Sequence, residues 1–248
     1  MSSIKTDWAK RAETYNNIKW VNNDETLNSM IEFCGDVNNK KVLDLGTGTG
    51  KVLRTLKGHF PNGEFYGVDI SEEMMSKIDN KEEFNLSVSK IEELKEFKDN
   101  TFDVLTARMV FHHSEDLEKA MNEAYRVLKP NGRFILCEGT PPNKECVEFY
   151  KEMFKYKEDR HTFLVDDITN LMINSNFEDI TSKTIVSKNM SLNNWIDNAG
   201  IPDENIKIIK EMHYEAYENE TLRKSYAMEK RDNDMYMNWK FTVTCAIK

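Results

Sequence analysis

A glycine-rich turn directly after an apolar run could hold a ligand. Residues 42–50 read VLDLGTGTG. Glycine permits positive φ angles and close backbone approach, and a nucleotide-like ligand needs both where a strand turns into a helix. A dinucleotide-binding turn, G-x-G-x-x-G, would have its third glycine at the position of Lys51. Asp44 lies just before the turn, where its carboxylate would repel a diphosphate and attract a cationic amino group. The turn therefore favours a zwitterionic ligand without phosphate.

A second carboxylate, Asp69, ends the next apolar run along the chain. In nucleotide-binding folds a carboxylate at this position accepts hydrogen bonds from the ribose hydroxyls. A strand-end aspartate can instead cap the following helix, but Ser71 is available for that role. Because Asp69 follows a glycine turn, the ribose contact is the better interpretation.

Two adjacent histidines, His112 and His113, follow the apolar run at 102–107. Ligands of open α/β sheets bind at the carboxyl ends of strands, so either histidine is a candidate general base toward a bound acceptor. Glu138 ends another such run and is a candidate for contact with the acceptor. The alternative for the histidines is that one caps or packs against the following helix.

The elements that position these residues follow from the hydrophobic pattern. β-branched runs alternate with helix-period segments from residue 41 onward, which predicts parallel strands joined by crossover helices. An amphipathic helix is predicted over 117–128, and residues 239–247 predict a half-buried antiparallel strand paired with Ile180–Ser187. The other predicted strands are 41–46, 64–70, 85–88, 102–107 and 132–138.

The segment between the last two predicted strands, about 189–236, is far too long for a hairpin connection. It has a helical pattern and dispersed aromatic residues, which predicts a helical cap over the site. The alternative is a surface insertion that does not contact the ligand.

Charge and hydropathy exclude several partner classes. The 248 residues include 34 Lys+Arg and 43 Asp+Glu, a formal charge of -9, which argues against binding nucleic acid through a basic face. No apolar stretch approaches the roughly 20 residues of a membrane span, and the N-terminus lacks the apolar core of a secretory signal. We therefore expect a cytoplasmic protein with no membrane partner, either a monomer or a homodimer.

Cysteine and histidine spacing argues against metal and disulfide sites. The four cysteines form no C-x-x-C pair, which indicates reduced thiols. His161 and His213 have no companion residues at ligand spacing, so the sequence predicts no metal site.

Taken as a set, four segments resemble the class I S-adenosylmethionine-dependent methyltransferases, in particular the small-molecule group related to the quinone-biosynthesis C-methyltransferases. They are VLDLGTGTG (42–50), VDIS (68–71), FDVLTARMVFHHSED (102–116) and EAYRVLKPNGRFILCE (123–138). The resemblance covers roughly 40–140. It implies an α/β, Rossmann-like seven-stranded sheet of order 3-2-1-4-5-7-6 with strand 7 antiparallel, helices on both faces, and S-adenosylmethionine as cofactor, with S-adenosylhomocysteine as product.

The resemblance also implies which residues surround the cofactor. Asp44, Gly46 and Gly48 would line its methionine part and Asp69 its ribose. The other implied contacts, from the turn, the ends of strands two to four and the N-terminal helical lead-in, are Thr47, Gly50, Ile70, Met74, Ser89, Lys90, Ile91, Arg108 and Tyr15.

The chain departs from its relatives near the adenine. They usually carry an aspartate after the third strand that accepts from the adenine amino group, whereas this chain reads VSKIE over 88–92. A lysine cannot accept a hydrogen bond. Ser89 or a backbone group at Ile91 would have to replace it.

The leading hypothesis is one methyltransferase domain that moves a methyl group to a small-molecule acceptor by in-line displacement. Within 1–248, residues 1–38 would form the lead-in, 39–140 the cofactor-binding core and 141–248 the acceptor half. The alternatives are a methyltransferase-like binding or regulatory module without turnover and, less favoured because of Lys51, an NAD-dependent oxidoreductase.

Overall fold

An eight-stranded mixed β-sheet organises the computed structural model, which describes residues 7–248. The strands are β1 (Lys41–Leu45), β2 (Glu64–Asp69), β3 (Asn85–Val88), β4 (Phe102–Arg108), β5 (Leu128–Thr140), β6 (Glu178–Ser191), β7 (Glu229–Arg231) and β8 (Asp234–Ile247). The helices are α1 (Trp8–Thr14), α2 (Asp24–Cys34), α3 (Lys51–His59), α4 (Glu72–Met75), α5 (Leu117–Val127), α6 (Val147–Phe154), α7 (Val165–Asn174), α8 (Leu192–Asp197), α9 (Asp203–Glu218) and α10 (Glu220–Ser225).

The strand order is β3-β2-β1-β4-β5-β8-β6, with β7 paired to β8 outside this path. Strands β1 to β5 pair in parallel, whereas β8 is antiparallel to both β5 and β6. The predicted order and the antiparallel last strand are confirmed, with β8 as the seventh strand of the prediction. The additional β7 forms a short hairpin with β8 in which Arg231 pairs with Asp234.

Both faces of the sheet are covered, which explains the continuous apolar runs of its parallel strands. Val42 and Leu43 are adjacent in β1 and face opposite sides, yet both are fully buried. Helix α5 buries Ala120, Met121 and Ala124, the stripe that its sequence predicted. The parallel half of the sheet is therefore a rigid support for the loops at the carboxyl ends of its strands.

The predicted insertion contains α8, α9, α10 and β7. Trp195, Ile196 and Ile209 of its helices are buried in the same apolar cluster as Met237 and Phe241 of β8. The insertion is thus packed against the sheet. In the portion that the structure describes, 7–248, no helix combines the length and apolar character required to cross a membrane.

Candidate active site

The glycine turn after β1 is closely packed. Gly46 and Gly48 have φ angles of +63° and +53°, in the left-handed region that most residues avoid. A Cβ atom on Gly46 would lie 2.3 Å from Cγ2 of Val110, which follows β4. At Gly48 the nearest side-chain atom would be 3.4 Å away. A Cβ atom at Gly48 would thus make only ordinary van der Waals contact, while Gly46 lets the turn pack against the end of β4.

Two backbone donors fix the carboxylate of Asp69. Its Oδ2 accepts from the backbone N–H of Gly48 at 2.7 Å, and its Oδ1 accepts from that of Ser71 at 2.9 Å. Burial raises the pKa of Asp69, and these N–H donors oppose the rise. Each oxygen keeps a further lone pair for a ligand hydroxyl. The side chain of Ser71 accepts from the N–H of Met74 and so caps α4.

An open crevice begins at this turn and passes the ends of β2, β3 and β4. Its empty volume is about 1960 Å³, including its open side. Ile70 forms part of its wall and is 54% exposed, unusual for a large apolar residue. The site residues expected from the sequence that line the crevice are Tyr15, Gly46, Gly48, Asp69, Ile70, Met74, Ser89, Lys90, Ile91, Arg108, His112 and His113.

A second, inner cavity adjoins the crevice and has an empty volume of about 800 Å³, including its mouth. Its wall is mainly aromatic and comes from α1, α6, β8 and the insertion, which contributes Trp195, His213 and Tyr226. Six residues line both spaces, namely Trp8, Tyr15, Met109, His112, His113 and Arg160. The two spaces therefore meet at the histidine pair.

A carboxylate behind the histidine pair sets the orientation of one imidazole. Oε2 of Glu138 lies 2.6 Å from Nδ1 of His112, and both side chains are buried. Burial raises the pKa of Glu138 to about 7 and lowers the pKa of His112 well below its usual range. The neutral imidazole with Nδ1–H donating to Glu138 leaves Nε2 unprotonated, which is the form that a general base requires.

Three cations surround one buried carboxylate at the inner cavity. Glu158 Oε2 lies 2.7 Å from NH1 of Arg11 and 2.6 Å from Nζ of Lys157. Glu158 Oε1 lies 3.5 Å from NH1 of Arg160. Burial alone would raise the pKa of Glu158, but Lys157 and Arg11 hold it well below its ordinary value. We call Arg11, Lys157, Glu158 and Arg160 the buried charge cluster.

Comparison with known proteins agrees with this geometry. Residues 43–136 match the family model described as a methyltransferase domain. The demethylmenaquinone methyltransferase of Thermotoga maritima is 36% identical over 115 residues, covering 46% of this chain and 50% of that protein. Residues 43–136 of this chain therefore contain a methyltransferase domain. It spans about half the length of the curated relatives that it matches first.

The fold of this methyltransferase domain also matches solved structures. An uncharacterized methyltransferase of Bacillus subtilis, YcgJ, is 30% identical over 164 residues, covering 63% of this chain and 64% of that protein. Its crystal structure superposes with a TM-score of 0.75 at 23% identity, covering 91% of this chain and 98% of that chain. The likeness in fold therefore extends well beyond residues 43–136.

Four of the expected site residues lie outside the walls of both spaces. Asp44 is 1% exposed, and its Oδ1 accepts from Oγ1 of Thr106 at 2.7 Å. Burial raises the pKa of Asp44 to about 7. Within the turn, the backbone N–H of Gly50 donates to the carbonyl of Thr47. Glu138 is fully buried, and its carboxylate contacts His112.

Two expected cofactor contacts have other partners. Lys90 Nζ forms an ion pair with Oε2 of Glu115 at 3.0 Å. Arg108 donates from NH1 and NH2 to the backbone carbonyls of Val21 and Trp20, each at 2.9 Å. Arg108 thus joins the N-terminal lead-in to the end of β4, beside the crevice.

Sequence reasoning missed the buried charge cluster. Residues 155–161 read KYKEDRH, and such a charged run is typical of a solvated surface. Glu158 and Arg160 nevertheless have side chains only 2% exposed. The partner Arg11 lies 147 residues away along the chain, so no local pattern could identify the pair. The aromatic residues Phe154, just before this run, and Tyr156, within it, are the hint in the sequence that the run is buried.

Three of these side chains have the proximity of metal ligands. Ligand atoms of His112, His113 and Glu158 lie within 4.8 Å of one another. However, Glu158 already contacts three cations, and their positive field opposes a divalent ion at that point. The triad is therefore better suited to positioning a polar group than to binding a metal.

Proposed function

We propose that this protein transfers a methyl group from S-adenosylmethionine to a small-molecule acceptor held in the inner cavity. The observation that carries this proposal is the continuity of the two spaces, which share six wall residues. One space contains the fixed carboxylate of Asp69 beside the glycine turn. The other is the inner cavity with its aromatic wall, which we call the acceptor chamber.

The residues of the crevice fit the cofactor. Asp69 would accept from the ribose hydroxyls, since both of its oxygens are oriented and retain lone pairs. Ile70 and Met74 would flank the adenine, and Gly46, Gly48 and Arg108 would surround the methionine part. Ser89 or the backbone of Ile91 would contact the adenine amino group, since Lys90 is paired with Glu115. The carboxylate of Asp44, just before the turn, would attract the cationic amino group of the cofactor.

S-adenosylmethionine supplies a methyl group already activated on a sulfonium sulfur. A lone pair of the acceptor forms the new bond to the methyl carbon, and the carbon–sulfur bonding pair remains on sulfur. The protein's main contribution is to hold donor and acceptor in line, which can supply on the order of 7–11 kcal/mol. Nε2 of His112 would take the proton that the acceptor loses, because Nδ1–H is directed to Glu138.

We further propose that residues 189–236 close the acceptor chamber. Trp195 of α8, His213 of α9 and Tyr226 after α10 all contribute to its wall. Helix α1 contributes Trp8 and Arg11 from the opposite end of the chain. Exclusion of water by these two segments would keep the reactive sulfonium from hydrolysis and would strengthen polar contacts within the chamber.

Calorimetric titration tests the cofactor assignment. S-adenosylhomocysteine is expected to bind and NAD is not, because the third glycine of a dinucleotide turn is replaced by Lys51. Binding of NAD alone would overturn the proposal. Incubation with methyl-labelled S-adenosylmethionine and the small-molecule fraction of a cell extract then tests turnover. Tight cofactor binding without any transfer of label would indicate a binding module instead.

The Asp69→Ala variant is expected to bind S-adenosylhomocysteine more weakly by about 1–3 kcal/mol, because two ribose hydroxyls lose their acceptor. Asp79→Ala is the matched control, since Asp79 is exposed and pairs with Arg54 outside the crevice. Calorimetry measures both dissociation constants, and thermal unfolding checks that each variant is folded. An unchanged affinity in Asp69→Ala would remove this carboxylate from the cofactor site.

We expect kcat to rise with pH through about 7, because the pKa of Glu138 is about 7. Above that pH Glu138 is ionised and holds the proton of His112 on Nδ1, so Nε2 is free. Below that pH the Glu138–His112 pair carries one more proton. Nε2 is then protonated and cannot take the proton that the methyl acceptor loses. In Glu138→Gln this rise should disappear, whereas Glu148→Gln on α6 should keep it. A profile in the native protein that is flat from pH 6 to 8 would contradict the role of Glu138 as a positioning residue.

A further inference from the structure

The buried charge cluster contains more positive than negative charge. Arg11, Lys157 and Arg160 have side chains 7%, 3% and 2% exposed, and all three contact the single carboxylate of Glu158. The other buried carboxylate at this end, Glu138, is bonded to His112. Guanidinium groups remain protonated in proteins. One positive charge therefore remains, whether Lys157 and Glu138 are both charged or both neutral.

Two donors of the cluster also lack acceptors. NH2 of Arg160 and Nε of Arg11 are buried and have no hydrogen-bond partner within residues 7–248. A buried donor without a partner costs about 1–3 kcal/mol. Arg160 lines both the crevice and the inner cavity, so this residue lies where the two spaces meet.

The rest of the chamber favours a flat apolar molecule. The guanidinium of Arg160 lies 4.4 Å from the ring centre of Phe154, and the ammonium of Lys157 lies 5.8 Å from that of Trp195. Phe149, Trp195 and Trp239 add further aromatic surface to the wall. Aromatic rings partly compensate the cations, but they offer no acceptor for the free N–H groups.

We propose that the methyl acceptor is a flat, mainly apolar molecule that carries one anionic group, and that Arg160 with Lys157 binds that group. This inference rests on the proposed function and specifies its substrate class. A monoanion would neutralise the remaining charge of the cluster and satisfy the free donor of Arg160. Its apolar body would then extend toward Phe149 and Trp195, with its reacting atom near the histidine pair.

A matched pair of probes tests the inference in the native protein with saturating S-adenosylhomocysteine. The probes are 2-naphthoate, a flat monoanion, and 2-naphthamide, which is uncharged and has the same shape. Calorimetry is expected to give a dissociation constant about tenfold or more lower for 2-naphthoate, because hydrogen bonds to charged groups are the stronger ones. The preference should fall to about threefold or less in Arg160→Gln. The control variant Arg231→Gln changes an exposed arginine of the β7–β8 hairpin and should keep the preference for 2-naphthoate.

The outcomes separate this inference from the proposed function. Equal affinities of the two probes, or no binding of 2-naphthoate while S-adenosylhomocysteine binds, would overturn the anionic acceptor and leave the cofactor site intact. A preference that persists in Arg160→Gln would overturn the assignment of this arginine. Failure of S-adenosylhomocysteine itself to bind would instead count against the proposed function. The comparison of probes in the native protein does not depend on whether a variant folds.

Discussion

Replacement of His112 by asparagine is expected to lower kcat for methyl transfer by on the order of 10²–10⁴-fold, the usual contribution of a general base. The amide nitrogen of asparagine can occupy the place of Nδ1, so Glu138 keeps its donor. What the variant loses is Nε2, the nitrogen that would take the proton of the acceptor. The measurement is transfer of labelled methyl under saturating cofactor and acceptor.

The matched control for this variant is His59→Asn. His59 ends α3, is exposed, and its Nδ1 contacts the carbonyl of Thr55. It should retain the native kcat. If His112→Asn also retains it, proton removal by this imidazole is not part of the reaction, and orientation alone would account for catalysis. If KM rises while kcat is unchanged, His112 contacts the bound acceptor without serving as its base.

The parallel half of the fold could be predicted because each element carries its own local pattern. Strand β1 is apolar on both faces and ends in glycine, and α5 has an apolar stripe at helical spacing. The antiparallel direction of the last strand, β8, could be predicted from strict alternation. The prediction that β8 is half-buried is wrong, because Thr242 and Thr244 are fully buried between the flanking strands and layers. In contrast, β7 consists of Glu229, Lys230 and Arg231, all exposed, so it has neither an apolar face nor an alternation. Its pairing follows from the tight turn before β8.

The residues that meet in the crevice could be predicted better than those that meet in the chamber, and the reason is physical. Gly48 and Asp69 meet because two adjacent parallel strands end side by side, and that juxtaposition follows from strand order alone. The chamber instead joins α1, α6 and the insertion, which pack together only in the folded chain. Glu138 illustrates the limit, since β5 continues beyond it to Thr140 and its carboxylate contacts His112 without lining either space.

The Glu158→Gln substitution is expected to lower the free energy of unfolding by about 3–5 kcal/mol, the usual cost of removing one partner from a buried ion pair. Glutamine keeps the shape of the side chain but leaves Arg11, Lys157 and Arg160 buried without their carboxylate. Urea unfolding followed by circular dichroism measures the change. Glu152→Gln is the matched control on α6, because Glu152 is exposed and its contact with Lys155 is a surface pair, which contributes little.

The pH dependence of this loss has a definite sign. The pKa of Glu158 in the folded protein is well below its ordinary value of 4.5, because burial is outweighed by Lys157 and Arg11. Its stabilisation is therefore fully present above pH 4.5 and is lost as the pH falls toward the folded-state pKa. The native protein and Glu158→Gln should consequently converge in stability under acidic conditions.

In the double variant Glu158→Gln with Arg11→Met, one stranded cation is also removed, so the loss should be smaller than the sum of the two single losses. Strict additivity would mean that Arg11 and Glu158 do not stabilise each other, and that the chamber does not depend on their ion pair.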